Sequence, residues 1–109
     1  MINEHELMVW CAGVVEGCGI ITATTEEGPT GKQYAALTLH VPISHESQIN
    51  RFMIAANNGT HEHGLWELSG SAAVKGFLQS IWTWLTPEGK SYFNEQIRKF
   101  KELQQKLAS

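Results

Sequence analysis

Cys11, Glu16 and Cys18 crowd into the run Trp10-Cys11-Ala12-Gly13-Val14-Val15-Glu16-Gly17-Cys18-Gly19-Ile20-Ile21, so thiols and a carboxylate, the side chains that hold metal ions, sit within two turns of one another. Spacing limits what they can do together. On a helix Cys11 and Cys18 are separated by about 10 Å of rise, too far for a disulfide within the chain, which leaves both as free thiols. Glu16 and Cys18 are about 200° apart around the same helix, so the carboxylate faces away from the thiol. A thiolate at Cys18 favours zinc or copper(I) over hard cations, whereas an un-ionised thiol there is a small apolar filler. His61-Glu62-His63 places two imidazoles on one side of an expected strand. Two ligands without a third make a poor metal site, and the run reads as polar hairpin residues.

The elements that must position these groups can be read from capping, alternation and periodicity. Asn3 with Glu6 three residues on has the form of a capping box, so a helix starts near Glu4 and runs through Leu7, Met8, Val9, Trp10, Val14 and Val15 until Gly17 and Gly19 stop it. Ala12, Gly13 and Gly17 are small, and each glycine costs up to about 1 kcal/mol against alanine within a helix. Their presence asks for a close helix-to-helix approach. Ile20 to Glu26 reads as a strand and Glu27 to Gly31 as a turn; Gln33 to Val41 alternates, with Ala35, Leu37, Leu39 and Val41 on one side and Tyr34, Ala36, Thr38 and His40 on the other. Pro42 ends that strand. Ser44 or Ser47 can cap a helix carrying Ile49, Phe52, Met53 and Ala56, which Asn57-Asn58-Gly59 closes.

A second hairpin fits Thr60 to Leu68, with its turn near Glu62-His63-Gly64. Ser69 or Ser71 then opens a helix with Val74, Phe77, Leu78, Ile81 and Leu85, and Pro87 marks the start of the last helix. That helix reaches about Leu107 along the seam Phe93, Ile97, Phe100, Leu103 and Leu107. Trp82 and Trp84 read as core and interface packing with Trp66 opposite them.

A chain of 109 residues, 42% hydrophobic with four Trp and four Phe, supports a single domain, 1–109, with a modest core. No apolar run approaches a membrane span, and Met1 to His5 lacks the basic and apolar regions of a signal peptide, so a cytoplasmic protein with no membrane partner is expected. The Asn58-Gly59-Thr60 sequon then reads as a tight turn. A net charge of −3, from 8 Lys and Arg against 11 Asp and Glu, runs against ordinary duplex binding, which relies on cations at phosphates.

The nonapeptide Cys11-Ala12-Gly13-Val14-Val15-Glu16-Gly17-Cys18-Gly19 resembles the signature of the LAGLIDADG homing endonucleases, flanked fittingly by Trp10 and Ile20-Ile21. The downstream order extends the resemblance over nearly the whole chain. It implies an α+β fold of helix, β-hairpin, helix, β-hairpin and two helices, an antiparallel sheet with helices on one face. With one motif per chain it implies a homodimer, its two motif helices packed through Ala12, Gly13 and Gly17, binding double-stranded DNA at a roughly palindromic site.

The resemblance also assigns residues. The family's eighth motif position is the acid that binds Mg2+ at the helix foot, and here it is Cys18, so cleavage is expected to be lost or impaired. The acidic sixth position is kept as Glu16. Lys90 falls where the family often has a basic residue near the active centre, although a solvated helix lysine explains it equally well. Thr22, Thr24, Glu26, Lys32, Tyr34, Thr38 and His40 would line the concave, DNA- or ligand-reading face together with Ile20 and Ala36. Ile43 stands near where the family often has a polar residue. An alternative is a repurposed non-nuclease binding protein, an inhibitor or small-ligand binder of mobile-element or phage origin, whose partner is a protein or small ligand.

Overall fold

Asn3 begins the first element as the capping pattern requires: its Oδ1 accepts from the Glu6 N–H at 2.8 Å, and α1 runs Glu4–Cys18. The computed structural model describes residues 3–108; positions 1, 2 and 109 of the expected single domain lie outside the described residues. After α1 come β1 (Ile20–Glu27), β2 (Gln33–Pro42), α2 (Glu46–Ala56), β3 (Thr60–Glu62), β4 (Leu65–Ser69), α3 (Ser71–Ile81) and α4 (Pro87–Ala108), with a 3-10 turn at Trp82–Trp84 between the last two helices. This is the expected α+β order of helix, hairpin, helix, hairpin and two helices.

The four strands form one antiparallel sheet in the order β1-β2-β4-β3. Alternation assigns its two faces, because successive side chains point to opposite sides. Ile21 pairs with Leu39, Ala23 with Leu37 and Val41 with Trp66, and these face the helices. Leu37, Leu39, Val41, Trp66 and Leu68 are buried there against Leu7, Cys11 and Val15 of α1, Phe52 of α2, Phe77 of α3 and Phe93 and Phe100 of α4. Among the described residues no helix covers the opposite face, where Ile20, Thr22, Thr24, Glu26 and Tyr34 are exposed.

An aromatic chain welds the helices to the sheet: Trp10 to Phe52 at 5.4 Å, Phe52 to Trp66 at 4.9 Å and Trp66 to Phe77 at 5.6 Å between ring centroids. Trp66 lies under the β3 entry so closely that a Cβ on residue 59 would stand 2.5 Å from its Nε1, and Gly59 also holds a φ of 105°. Only glycine suits both demands. The β3–β4 turn is tight, with His63 and Gly64 at φ 53° and 74°, the left-handed pair that a two-residue hairpin needs.

Four local expectations change. Leu85, expected on the helix of Val74 to Ile81, lies beyond the end of α3 and after the 3-10 turn, where its N–H bonds to Trp82 O and its side chain still enters the core. The residue before α2 is His45, with no side-chain cap, because Ile43 is buried in the core and sets where the chain leaves the sheet. Gly70 precedes α3 in place of a serine cap; its N–H is committed to Leu37 O at 3.0 Å, tying the helix start to β2. Trp66 is not opposite Trp82 and Trp84: it is fully buried with Phe52 and Phe77, while Trp84 is exposed and meets His5 edge-on at 5.2 Å.

Candidate functional site

Cys18 is the last residue of α1 and opens to solvent, with Gly19 alone between it and the start of β1. Its Sγ donates to Val14 O at 3.2 Å, and burial pushes the thiol pKa up, so at neutral pH the group is a thiol and not a thiolate. Cys11 is fully enclosed, its pKa pushed up to about 12 by burial despite the opposing charge of Arg51.

Glu16 points away from Cys18 and has work of its own. Its carboxylate accepts from Thr86 N at 2.6 Å and Thr86 Oγ1 at 2.8 Å, directly before the first residue of α4. Thr86 in turn caps that helix, its Oγ1 accepting from Gly89 N at 3.2 Å and its carbonyl from Lys90 N at 2.9 Å. A carboxylate beside a helix N-terminus is favoured by the backbone dipoles. Gly89 is buried against Glu16, whose Oε1 a Cβ would strike. Lys90 follows on the first turn of α4, half-buried. Beside this joint lies a cleft of about 300 Å³ that includes Gly19, Glu88 and Tyr92, and Tyr92 Oη accepts from Ile21 N at 3.3 Å where β1 starts. The end of α1, the start of β1 and the start of α4 are thus held together.

The uncovered sheet face reads in rows across the strands. Ile20 stands beside His40, His40 beside Glu67 and Glu67 beside Thr60; Thr22 stands beside Thr38 and Thr38 beside Ser69; Thr24 faces Ala36 and Glu26 faces Tyr34. Thr22 Oγ1 lies 3.4 Å from His40 Nε2, and Thr24 Oγ1 donates to Glu26 Oε1 at 3.5 Å. Of the 8 Lys and Arg in the chain, Lys32 in the β1–β2 loop is the one near this face; the others are on α2, α3 and α4. Glu26, Glu62 and Glu67 give the face three carboxylates.

No family model matches this chain, and no curated protein matches it. Solved structures do. The homing endonuclease I-CvuI, in complex with its target in the presence of calcium, superposes with a TM-score of 0.64 at 18% identity, over 93% of this chain and 71% of that one. I-CeuI, a group I intron-encoded homing endonuclease complexed with DNA, gives 0.60 at 16% identity over 96% of this chain and 57% of its own. The homing endonuclease I-TnaI gives 0.58 at 12% over 99% and 72%. The fold is that of the LAGLIDADG homing endonucleases.

Within the LAGLIDADG frame the expected residues fall into place unevenly. Thr22, Thr24, Glu26, Tyr34, Thr38 and His40 do share the open face, with Lys32 at its loop end. Gly13 and Gly17 are exposed along α1 with Val9, and among the described residues no atom beyond their own stretch of helix lies within 4 Å of where their Cβ atoms would be. Ala12 differs: it is 1% exposed and faces its own core with Cys11 and Val15, away from the bare side that Gly13 and Gly17 share. One residue's shift around a helix is 100°, enough to carry it from one side to the other. His61 and His63 do not converge, because His61 Nε2 sits 3.1 Å from Ile43 O while His63 is in the turn, 3.3 Å from Glu62. Ile43 is a core residue.

The groups at the foot of α1 do not fit a magnesium ion. Magnesium demands oxygen ligands; Cys18 offers an un-ionised sulfur, the carboxylate nearest to it in sequence, Glu16, is spent on α4, and among the described residues no three His, Cys, Asp or Glu side chains come together. Sequence reasoning also passed over Glu62 and Glu67 on the open face. The signal was present, since apolar Trp66 and Leu68 turn Glu67 outward by simple alternation.

Proposed function

We propose that this chain is a homodimeric LAGLIDADG-fold protein that holds double-stranded DNA against its open sheet face and does not cut it with magnesium. The observation that carries the loss of cutting is Cys18, a neutral thiol at the helix foot where an oxygen ligand is needed. Pairing rests on the bare Val9, Gly13 and Gly17 side of α1, which lets a second backbone approach closely. DNA as the partner rests on the likeness to I-CvuI and I-CeuI, each solved with DNA, and on a sheet face that no helix covers among the described residues.

A second reading is favoured by one observation, the three carboxylates on a face whose strands carry no Lys or Arg. That composition suits a non-nuclease binder, an inhibitor or small-ligand binder of mobile-element or phage origin. Titration of random duplex separates the two. Binding at about 50 mM salt that disappears by about 200 mM supports the DNA reading, because phosphate contacts are lost steeply with salt; no binding at the lower salt supports the second.

A further inference from the structure

The outward strand positions of the open face carry none of the long side chains that read purine edges with two hydrogen bonds, and keep only short Thr and Ser hydroxyls that contact either kind of base. Arg and Lys pair with guanine O6 and N7, Asn and Gln with adenine N6 and N7. None of these four residue types occurs among the strand positions that face outward, since Gln33 pairs with Glu27 on the covered side. What the face offers instead is apolar surface and carboxylate. Ile20 and Tyr34 stand out from β1 and β2 at 54% and 52% exposure, with Ala36 between them; Glu26 sits in the row of Tyr34 and Glu67 in the row of Ile20 and His40.

Each of these has a partner on a pyrimidine. Apolar side chains pack on the thymine C5 methyl, and a carboxylate accepts from the cytosine N4 amino group. A carboxylate in a groove lined by phosphates is repelled unless it makes such a bond, so Glu26 and Glu67 penalise sites that withhold the amino group. Resting on the reading that this face meets duplex DNA, we propose that it recognises pyrimidine edges: thymine methyls through Ile20, Ala36 and the Tyr34 ring, cytosine N4 through Glu26 and Glu67. Glu67 shares a row with His40 and Ile20, six residues along β1 from Glu26. At about 3.4 Å per residue this is roughly 20 Å, so the two cytosine contacts fall roughly six base pairs apart in each half-site.

The test begins with selection of bound duplexes from a random pool at about 50 mM salt. The selected duplex is then remade with uracil for thymine, which removes the methyl, and with 7-deazaguanine for guanine, which removes N7. Uracil should weaken binding about fourfold for each methyl lost from contact, and 7-deazaguanine should leave it unchanged. Glu67→Gln should bind random duplex more tightly while losing about tenfold preference for cytosine at its position. A selected duplex that weakens with 7-deazaguanine, or ignores uracil, overturns the pyrimidine reading and leaves the DNA reading standing. A pool from which nothing is retained overturns both.

Discussion

The Glu16 carboxylate receives both the backbone N–H and the hydroxyl of Thr86, at 2.6 and 2.8 Å, across 70 residues of sequence. This joint ties the C-terminal turn of α1 to the first turn of α4. It gives Glu16 a structural task that does not depend on any chemistry at Cys18.

Glu16→Gln should therefore weaken the fold by about 1 to 2 kcal/mol, the loss expected for a charge-assisted bond at a helix N-terminus. Thr86→Val should cost a similar amount. Because the two act on one joint, the double variant should lose less than the sum, which urea denaturation of all four proteins would reveal. Additive losses would show that the joint carries no coupling.

Gly13→Leu should yield a folded monomer. Within the chain a side chain at residue 13 meets open space, so the fold tolerates it, whereas a partner helix packed there would not. Sedimentation velocity reports the mass and circular dichroism the fold. A monomeric native protein, or a Gly13→Leu protein that still pairs, removes Gly13 from the interface.

Gly59→Ala attacks the hairpin entry. Its Cβ would press on Trp66 Nε1 and strain a φ of 105°, so a loss of about 2 kcal/mol or more is expected in chemical denaturation. Native-like stability would mean that the Trp66 ring can shift without cost.

The Cys11 thiol gives alkaline sensitivity. Its pKa is pushed up to about 12 from an ordinary 9.0 by burial, so between these values the unfolded chain has lost a proton that the folded chain keeps. Stability from this group is full below pH 9.0 and declines as pH rises toward 12. Denaturation midpoints measured from pH 8 upward should fall less steeply for Cys11→Ala than for the native protein. In the native fold a thiol reagent should modify Cys18 and reach Cys11 only on unfolding.

Cys18→Asp places an oxygen ligand at the foot of α1, and so one in each copy of the proposed dimer. Weak magnesium-dependent nicking of supercoiled plasmid is the expected gain, partial because a misplacement of about 1 Å costs about 100-fold in rate. Strong cutting by the unmodified protein would refute the role assigned to Cys18. Silence from a Cys18→Asp protein that binds the same plasmid would place the defect elsewhere in the active centre.

What the sequence by itself determined is periodic or local. The Asn3–Glu6 cap, the alternation of Gln33 to Val41, the Asn57-to-Gly59 stop and Pro87 at the head of α4 each depend on neighbours within a few residues, and hydrogen-bonding and packing patterns of that range are written in residue order. The open face of β1 and β2 followed from the same alternation. The tertiary structure alone decided which side of α1 is free, because Ala12 and Gly13 are both small and only the packed core distinguishes them. It alone paired Glu16 with Thr86 and Tyr92 with Ile21, contacts 70 and 71 residues apart that no local rule anticipates. And by setting β4 next to β2 it brought Glu67 beside His40, adding charge from a distant hairpin to a face to which the first two strands contribute one carboxylate, Glu26.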